Sequence, residues 1–257
     1  MEYVIICLVA LLTSILTFFS GFGLGTILLP VFALFFPIEL AIALTGVVHF
    51  FNNIFKLILV GKNASKSVLI RFGIPAVLAA FIGANLLINI TELQPLFTYT
   101  LGSKTFEVTP VKLVIGILLI VFAIMELTPF FNKLKFGKKQ LPIGGLLSGF
   151  FGGLSGHQGA LRSAFLINAG LTKETFIGSA VVISCFVDFS RLSVYSTQIF
   201  ESGLDQNISL ILAATLSAIL GAIIGNKLLK KVTLKFIQKL IAILLIGIAL
   251  TLSLGII

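Results

Sequence analysis

Apolar segments follow one another along this chain from end to end. Six are long enough to cross a bilayer unbroken: about 39–60, 72–90, 111–130, 173–195, 208–228 and 236–256. Each approaches the ~20 residues that span a hydrocarbon core. Two further runs, 3–36 and 141–170, are each interrupted by a glycine cluster. The first break reads Ser20-Gly21-Phe22-Gly23-Leu24-Gly25. The second reads Gly152-Gly153-Leu154-Ser155-Gly156, followed by His157-Gln158-Gly159. As one helix, the first run would measure roughly 50 Å against a core of roughly 30 Å, so it must bend, tilt severely or double back. Of the 257 residues, 58% are hydrophobic and only 11% charged, with a mean hydropathy of +1.18. That excludes a water-soluble protein and leaves no room for an extramembranous domain beside the crossings.

The formal charge is +9, from 18 Lys and Arg against 9 Asp and Glu. A basic excess of this kind can serve nucleic acid, anionic lipid or loop orientation, and position decides between them. Lys62, Lys66 and Arg71 form one cluster between apolar runs, Lys133, Lys135, Lys138 and Lys139 a second, and Lys227, Lys230, Lys231, Lys235 and Lys239 a third. They read as loops on the inner face of a membrane, with no nucleic-acid partner. Cys7 and Cys185 lie inside apolar runs, which gives no disulfide framework and no metal spacing. The first run lacks a basic n-region and an Ala-x-Ala-like site, unlike a cleaved signal peptide.

With 133–139 inside and the acidic loop of Glu201 and Asp205 outside, the helix at 173–195 must start inside. The run at 141–170 must then return to the face it left, as a re-entrant hairpin with glycines at its tip. Sliding the chain by about 135 residues superposes Ser20-Gly21 on Ser155-Gly156, Glu39 on Glu174, Asn53 on Asp188 and Lys56 on Arg191. Together with the loop charges, this predicts an all-α membrane protein of two inverted repeats, each a re-entrant helical hairpin plus three transmembrane helices. The repeats cover 1–131 and 141–257, joined by a basic cytoplasmic loop at 132–140, with both termini outside.

Irregular backbone at membrane depth survives only where protein or a water-filled cavity covers it, so the two glycine elbows are expected to face each other. The second arm of each hairpin then offers helix N-terminal N–H groups to an anion; the alternative is that the glycines only allow close helix packing. The candidate anion-binding residues here are Gly21, Gly23, Gly25 and Thr26 in the first hairpin and Gly156, His157, Gln158 and Arg162 in the second. Thr45, His49, Asn52, Asn53 and Lys56 recur at intervals of three and four and form one polar stripe on a helix. Ser184, Asp188 and Arg191, with Tyr195 beyond, form the matching stripe. Ionisable groups in a membrane are expensive and therefore point to function, which adds His49, Asn52, Asn53 and Asp188 to the binding candidates. Lys56 and Arg191 are candidates for gating or coupling, or else long side chains snorkelling to the interface. Arg162 is expected either to pair with Asp188 or to meet an anionic ligand with its planar fork of donors. Glu39 and Glu174 suit the first turns of their helices. Glu126 near Pro129 reads as interfacial, with proton coupling a further possibility. No HExxH, GxSG or paired intramembrane aspartates appear, so the chain does not read as an enzyme, and nothing calls for a metal or cofactor.

The hairpin Gly21-Phe22-Gly23-Leu24-Gly25, with Pro30, the 41–45 segment, Asn52-Asn53 and a second glycine-rich hairpin about 135 residues on, resembles the TauE/SafE sulfite exporter family over essentially the whole chain. The second half departs from that pattern in carrying His157, Gln158 and Arg162 and no proline near Phe165. The resemblance implies a multi-pass permease of the cell (inner) membrane for a small sulfur-containing anion such as sulfite, sulfoacetate or thiosulfate. A passive anion channel and a carrier of a small organic carboxylate are the alternatives. The expected partners are the anion, the lipid bilayer and, as a coupling ion, the proton.

Overall fold

In lipid a helix satisfies its own backbone hydrogen bonds, and nearly every apolar run of the chain is helical. The computed structural model describes residues 1–18, 23–128, 136–167, 169–201, 205–228 and 234–256. Within these lie α1 (Glu2–Thr17), α2 (Leu24–Ala33), α3 (Ile38–Val60), α4 (Lys66–Thr91) and α5 (Pro110–Leu127), then α6 (Leu141–Ser155), α7 (Gly159–Ile167), α8 (Lys173–Glu201), α9 (Ile208–Leu228) and α10 (Leu234–Ser253). Among the described residues, α3, α4, α8 and α9 are long and apolar enough to cross a membrane. Glu39 and Glu174 sit in the first turns of α3 and α8, where a carboxylate complements the helix dipole. α8 runs beyond the expected end at 195 as far as Glu201.

Both glycine breaks interrupt the helix. α1 and α2 have 16 and 10 residues, and α6 and α7 have 15 and 9. At about 1.5 Å per residue none of the four arms reaches across a ~30 Å core. Gly23, in the left-handed region at φ +116°, precedes α2, and Gly156, at φ +80°, ends α6. Both conformations favour glycine because a Cβ would crowd the following carbonyl.

Among the described residues, the expected all-helical chain has one exception. β1 (Phe97–Leu101) and β2 (Lys104–Val108) form an antiparallel hairpin between α4 and α5, with Tyr99 opposite Phe106 and Gly102 in the turn. The Tyr99 ring stacks on Phe106, and its hydroxyl donates to the Leu254 carbonyl at 2.6 Å. No strand pair lies between α9 and α10 among the described residues, so the 135-residue register of the two halves is lost there.

The helices pack in reciprocal pairs. α1 lies on α9 and α6 on α4; α9 also touches α3, as α4 touches α8; α3 packs on α8 and α5 on α10. Exchanging the first five helices for the last five returns the same pairs. Direction follows from the close approaches. Gly46 lies beside Leu192, Asn53 beside Asp188 and Gly61 beside Val182, so α3 and α8 run antiparallel. Phe72 meets Gly145, Ala76 meets Gly149 and Ala80 meets Gly153, so α4 and α6 run parallel. A Cβ at any of these three glycines would fall onto α4 backbone. Small residues four apart let two membrane helices approach to backbone contact. Outward-facing Ile70, Leu78, Phe186, Phe189 and Leu216 are exposed, as suits a surface solvated by lipid.

Candidate functional site

The polar stripes predicted on α3 and α8 meet where these two antiparallel helices cross, and the second hairpin closes over them. Lys56 is 6% exposed, Arg162 and Arg191 1%, and Asp188 0%. Lys56 and Arg191 are thus enclosed by protein, and α8 continues ten residues past Arg191.

Asp188 is the hub. Its Oδ2 lies 2.6 Å from His49 Nδ1 and accepts from Asn53 Nδ2 at 3.3 Å. Its Oδ1 accepts from Gln158 Nε2 at 3.3 Å and Arg191 Nε at 3.1 Å, and Arg191 Nη2 completes the ion pair at 3.0 Å. Asn53 and Asp188, matched by the repeat, are thus in direct contact. The expected direct Arg162–Asp188 pair is corrected: Arg191, one turn along the same helix, makes the ion pair, and Gln158 separates Arg162 from the carboxylate. Arg162 Nη1 donates to Gln158 Oε1 at 3.0 Å and to Ser184 Oγ at 2.6 Å.

Local backbone explains why Gln158 and Arg191 reach this point. Ser148 Oγ donates to the Gln158 carbonyl at 2.9 Å, which fixes the start of α7 against α6. Gly152 leaves the space that Gln158 fills, for a Cβ there would stand 2.8 Å from that of Gln158. A Cβ on Gly156 would stand 2.7 Å from Arg191 Nη1, and one on Gly46 3.3 Å from Arg191 Nη2. The Tyr195 hydroxyl donates to the Gly153 carbonyl and ties α8 to α6 beside the elbow. The glycine cluster therefore divides its work: Gly153 belongs to the α4 seam, while Gly152 and Gly156 make room for donors.

The first hairpin approaches from the other side. Gly25 packs under the His49 ring and toward the Gly156 carbonyl, 3.5 and 3.9 Å from where its Cβ would lie. With the Asn52 amide turned so that its nitrogen donates to the Ala218 carbonyl at 3.2 Å, its oxygen accepts from Lys56 Nζ at 3.2 Å. Lys56 Nζ also lies 5.6 Å over the Phe18 ring. Thr17, Phe18, Leu24, His49, Asn53, Lys56 and Val181 line a cavity of about 10 Å³, room for one water.

Two candidates sit apart from the hub. His157 is buried but turns back into its own elbow: Nδ1 lies 3.0 Å from the Ser155 carbonyl, and the ring stacks on Phe122 at 5.3 Å. Thr26 is buried in α2 behind the elbow. Gly21 and Ser20 lie outside the described residues, as do Lys133, Lys135, Lys230 and Lys231 and the side chains of Glu126, Lys235, Glu201 and Asp205. Lys62, Lys66, Arg71, Lys138, Lys139, Lys227 and Lys239 are exposed. Sequence reasoning passed over Gly46, Ser148 and Phe122. Gly46 could have been found from its place one turn before His49 on the polar stripe; nothing in the sequence marks Phe122 as a stacking partner.

Chemically, a buried carboxylate with five donor contacts from α3, α8 and the start of α7, flanked by two guanidinium groups and an ammonium group, is a site for negative charge. Among the described residues no three His, Cys, Asp or Glu side chains gather as metal ligands. No curated protein and no solved structure matches the chain. The family described as Sulfite exporter TauE/SafE matches residues 6–252. Apolar helices of crossing length, a buried polar centre and a family match from α1 to α10 together place the chain in the TauE/SafE family of membrane transporters.

Proposed function

We propose that the protein is a secondary carrier of the cell (inner) membrane for a small sulfur-containing oxyanion or sulfonate, such as sulfite, sulfoacetate or thiosulfate. The observation that carries this reading is the burial of Lys56, Arg162 and Arg191 around a single Asp188 hub, where the two halves cross and the hairpin tips approach. Buried cations with planar donor forks suit an oxyanion, and a site between two pseudo-equivalent halves can open to each side in turn. The binding set is His49, Asn52, Asn53, Gln158, Arg162 and the Gly23–Gly25 and Gly156 elbows, with Lys56 and Arg191 as gating or coupling groups. The halves are inverted repeats at 1–131 and 141–257, joined by a cytoplasmic loop at 132–140. The antiparallel α3–α8 crossing and the reciprocal helix pairs support that inversion.

In proteoliposomes, sulfite or thiosulfate flux should saturate with concentration and fall at least about tenfold in Arg162→Ala, a loss of about 1.4 kcal/mol or more of transition-state stabilisation. Arg71→Ala, at an exposed position, should leave it unchanged. Unitary currents would replace the carrier by a channel, and no flux of any sulfur or carboxylate anion through well-folded protein would sink the assignment. The topology has its own check. In a variant with Cys7 and Cys185 replaced by Ser, single cysteines at Lys62 and Lys227 should label from one face and a cysteine at Thr100 from the other. Labelling of the first two from opposite faces would refute the inverted arrangement.

A further inference from the structure

Four of the polar side chains that an incoming oxyanion would meet at this site, His49, Asn53, Gln158 and Arg191, are held by Asp188. Both carboxylate oxygens are engaged, Oδ2 by His49 and Asn53 and Oδ1 by Gln158 and Arg191. The adjoining cavity of about 10 Å³ is far too small for an ion of four or more heavy atoms. An anion that seats on Arg191 and Gln158 takes these donors from the carboxylate. Building on the anion-carrier reading, we propose that Asp188 is the proton-carrying group of the transporter: a resident anion that yields Arg191 and Gln158 to the substrate and takes up a proton as it does so.

The physics follows from the contacts. An anion seated on Arg191 and Gln158 removes donors that favour the charged carboxylate and sets a like charge beside it. Both changes favour the neutral acid. A buried carboxylate that loses its guanidinium partner is unfavourable as an anion, and protonation relieves that penalty. By reciprocity, a protonated Asp188 no longer competes for Arg191 and so strengthens anion binding by the same factor. One proton then accompanies each anion in the same direction across the membrane. The groups acting on Asp188 are His49 from α3, Arg162 from α7, relayed through Gln158, and Arg191, Cys185 and Tyr195 from its own helix. Lys56 stands one turn beyond Asn52 on α3 and feels the like charge of Arg162. His49 Nδ1 stands 2.6 Å from the carboxylate, the shortest of its contacts, and this places the imidazole on the route by which a proton reaches Asp188.

The test is calorimetry on the full-length protein in detergent, with thiosulfate as probe because its own charge is constant through the neutral range. Titrations are run across that range in two buffers of different ionisation enthalpy. In the wild type, affinity should rise about tenfold per unit fall in pH where the coupling is complete, with uptake approaching one proton per anion. Asp188→Asn, which imitates the protonated acid, should bind thiosulfate without pH dependence or proton uptake. His49→Gln should keep the uptake and slow the approach to equilibrium. Thiosulfate binding to the wild type with no proton uptake would overturn the proposal while leaving the anion reading intact, and so would uptake that persists in Asp188→Asn or vanishes in His49→Gln. If Asp188→Asn fails to fold, the two-buffer result on the wild type decides alone. Absence of binding by thiosulfate, sulfite and sulfoacetate at every pH would remove the anion reading itself.

Discussion

Arg191→Gln is expected to destabilise the purified protein more than the double variant Arg191→Gln with Asp188→Asn. Arg191 and Asp188 are both essentially inaccessible, and the guanidinium sets two nitrogens, Nε at 3.1 Å and Nη2 at 3.0 Å, on one carboxylate oxygen. Removing one member of such a pair leaves a charge that neither water nor a counter-ion can reach, which costs about 3–5 kcal/mol. Removing both returns much of that penalty, since the two amides that replace the ion pair are neutral polar groups still within reach of His49, Asn53 and Gln158. For a chain of this size the single variant should melt on the order of 10 °C below the wild type. The measurement is a double-mutant cycle on thermal unfolding in detergent, with an interaction energy of about 1–3 kcal/mol expected. The parallel cycle of Arg162→Gln with Asp188→Asn should give a smaller value, because Gln158 stands between those charges. Equal interaction energies in the two cycles would contradict the assignment of Arg191 as the direct partner.

A single methyl group at Gly149 should be enough to disrupt the α4–α6 seam. A Cβ there would collide with the Ala76 carbonyl and the backbone carbons beside it, and backbone in a packed helix cannot swing aside as a flexible side chain does. Forcing α6 away also displaces Gly145 and Gly153 from their seats on Phe72 and Ala80, and with Gly153 the anchor for the Tyr195 hydroxyl. Gly149→Ala should therefore lose about 3 kcal/mol or more, the upper range for overpacking a tight interior. Gly247→Ala is the control, since nothing lies within 4 Å of its Cβ position. There the substitution should be neutral or stabilising by up to about 1 kcal/mol, as alanine favours helix over glycine. Comparable melting temperatures for the two variants would mean that α4 and α6 are not in backbone contact.

Properties that repeat along a helix could be read without any structure. An apolar stretch of crossing length makes a helix because lipid leaves the backbone no other partner, so 39–60, 173–195 and 208–228 emerged close to α3, α8 and α9. Spacings of three and four put His49, Asn52, Asn53 and Lys56 on one face whatever lies opposite. The glycine clusters marked the breaks because a residue without a Cβ neither favours helix nor resists a left-handed turn. The repeat matched Asn53 to Asp188, and the structure brings the two into contact, since related residues of two crossing halves meet near their axis.

Everything that depends on the distance between two helices lay beyond the sequence. Arg162 and Arg191 are equally plausible partners for Asp188 until the crossing of α3 and α8 and the Gln158 bridge choose between them. His157 belongs to the second elbow by position but to Phe122 by contact. Gly149 and Gly153 look like their neighbours Gly152 and Gly156, yet one pair touches α4 and the other makes room for Gln158 and Arg191. The β-hairpin at 97–108 escaped notice because twelve mixed residues with one glycine carry a weak pattern, and the Tyr99 bond to Leu254 that holds it comes from the far end of the chain. Local periodicity determined which residues face inward. Only the packing of helices far apart in sequence decided which inward-facing charges touch, because chain order carries no measure of that separation.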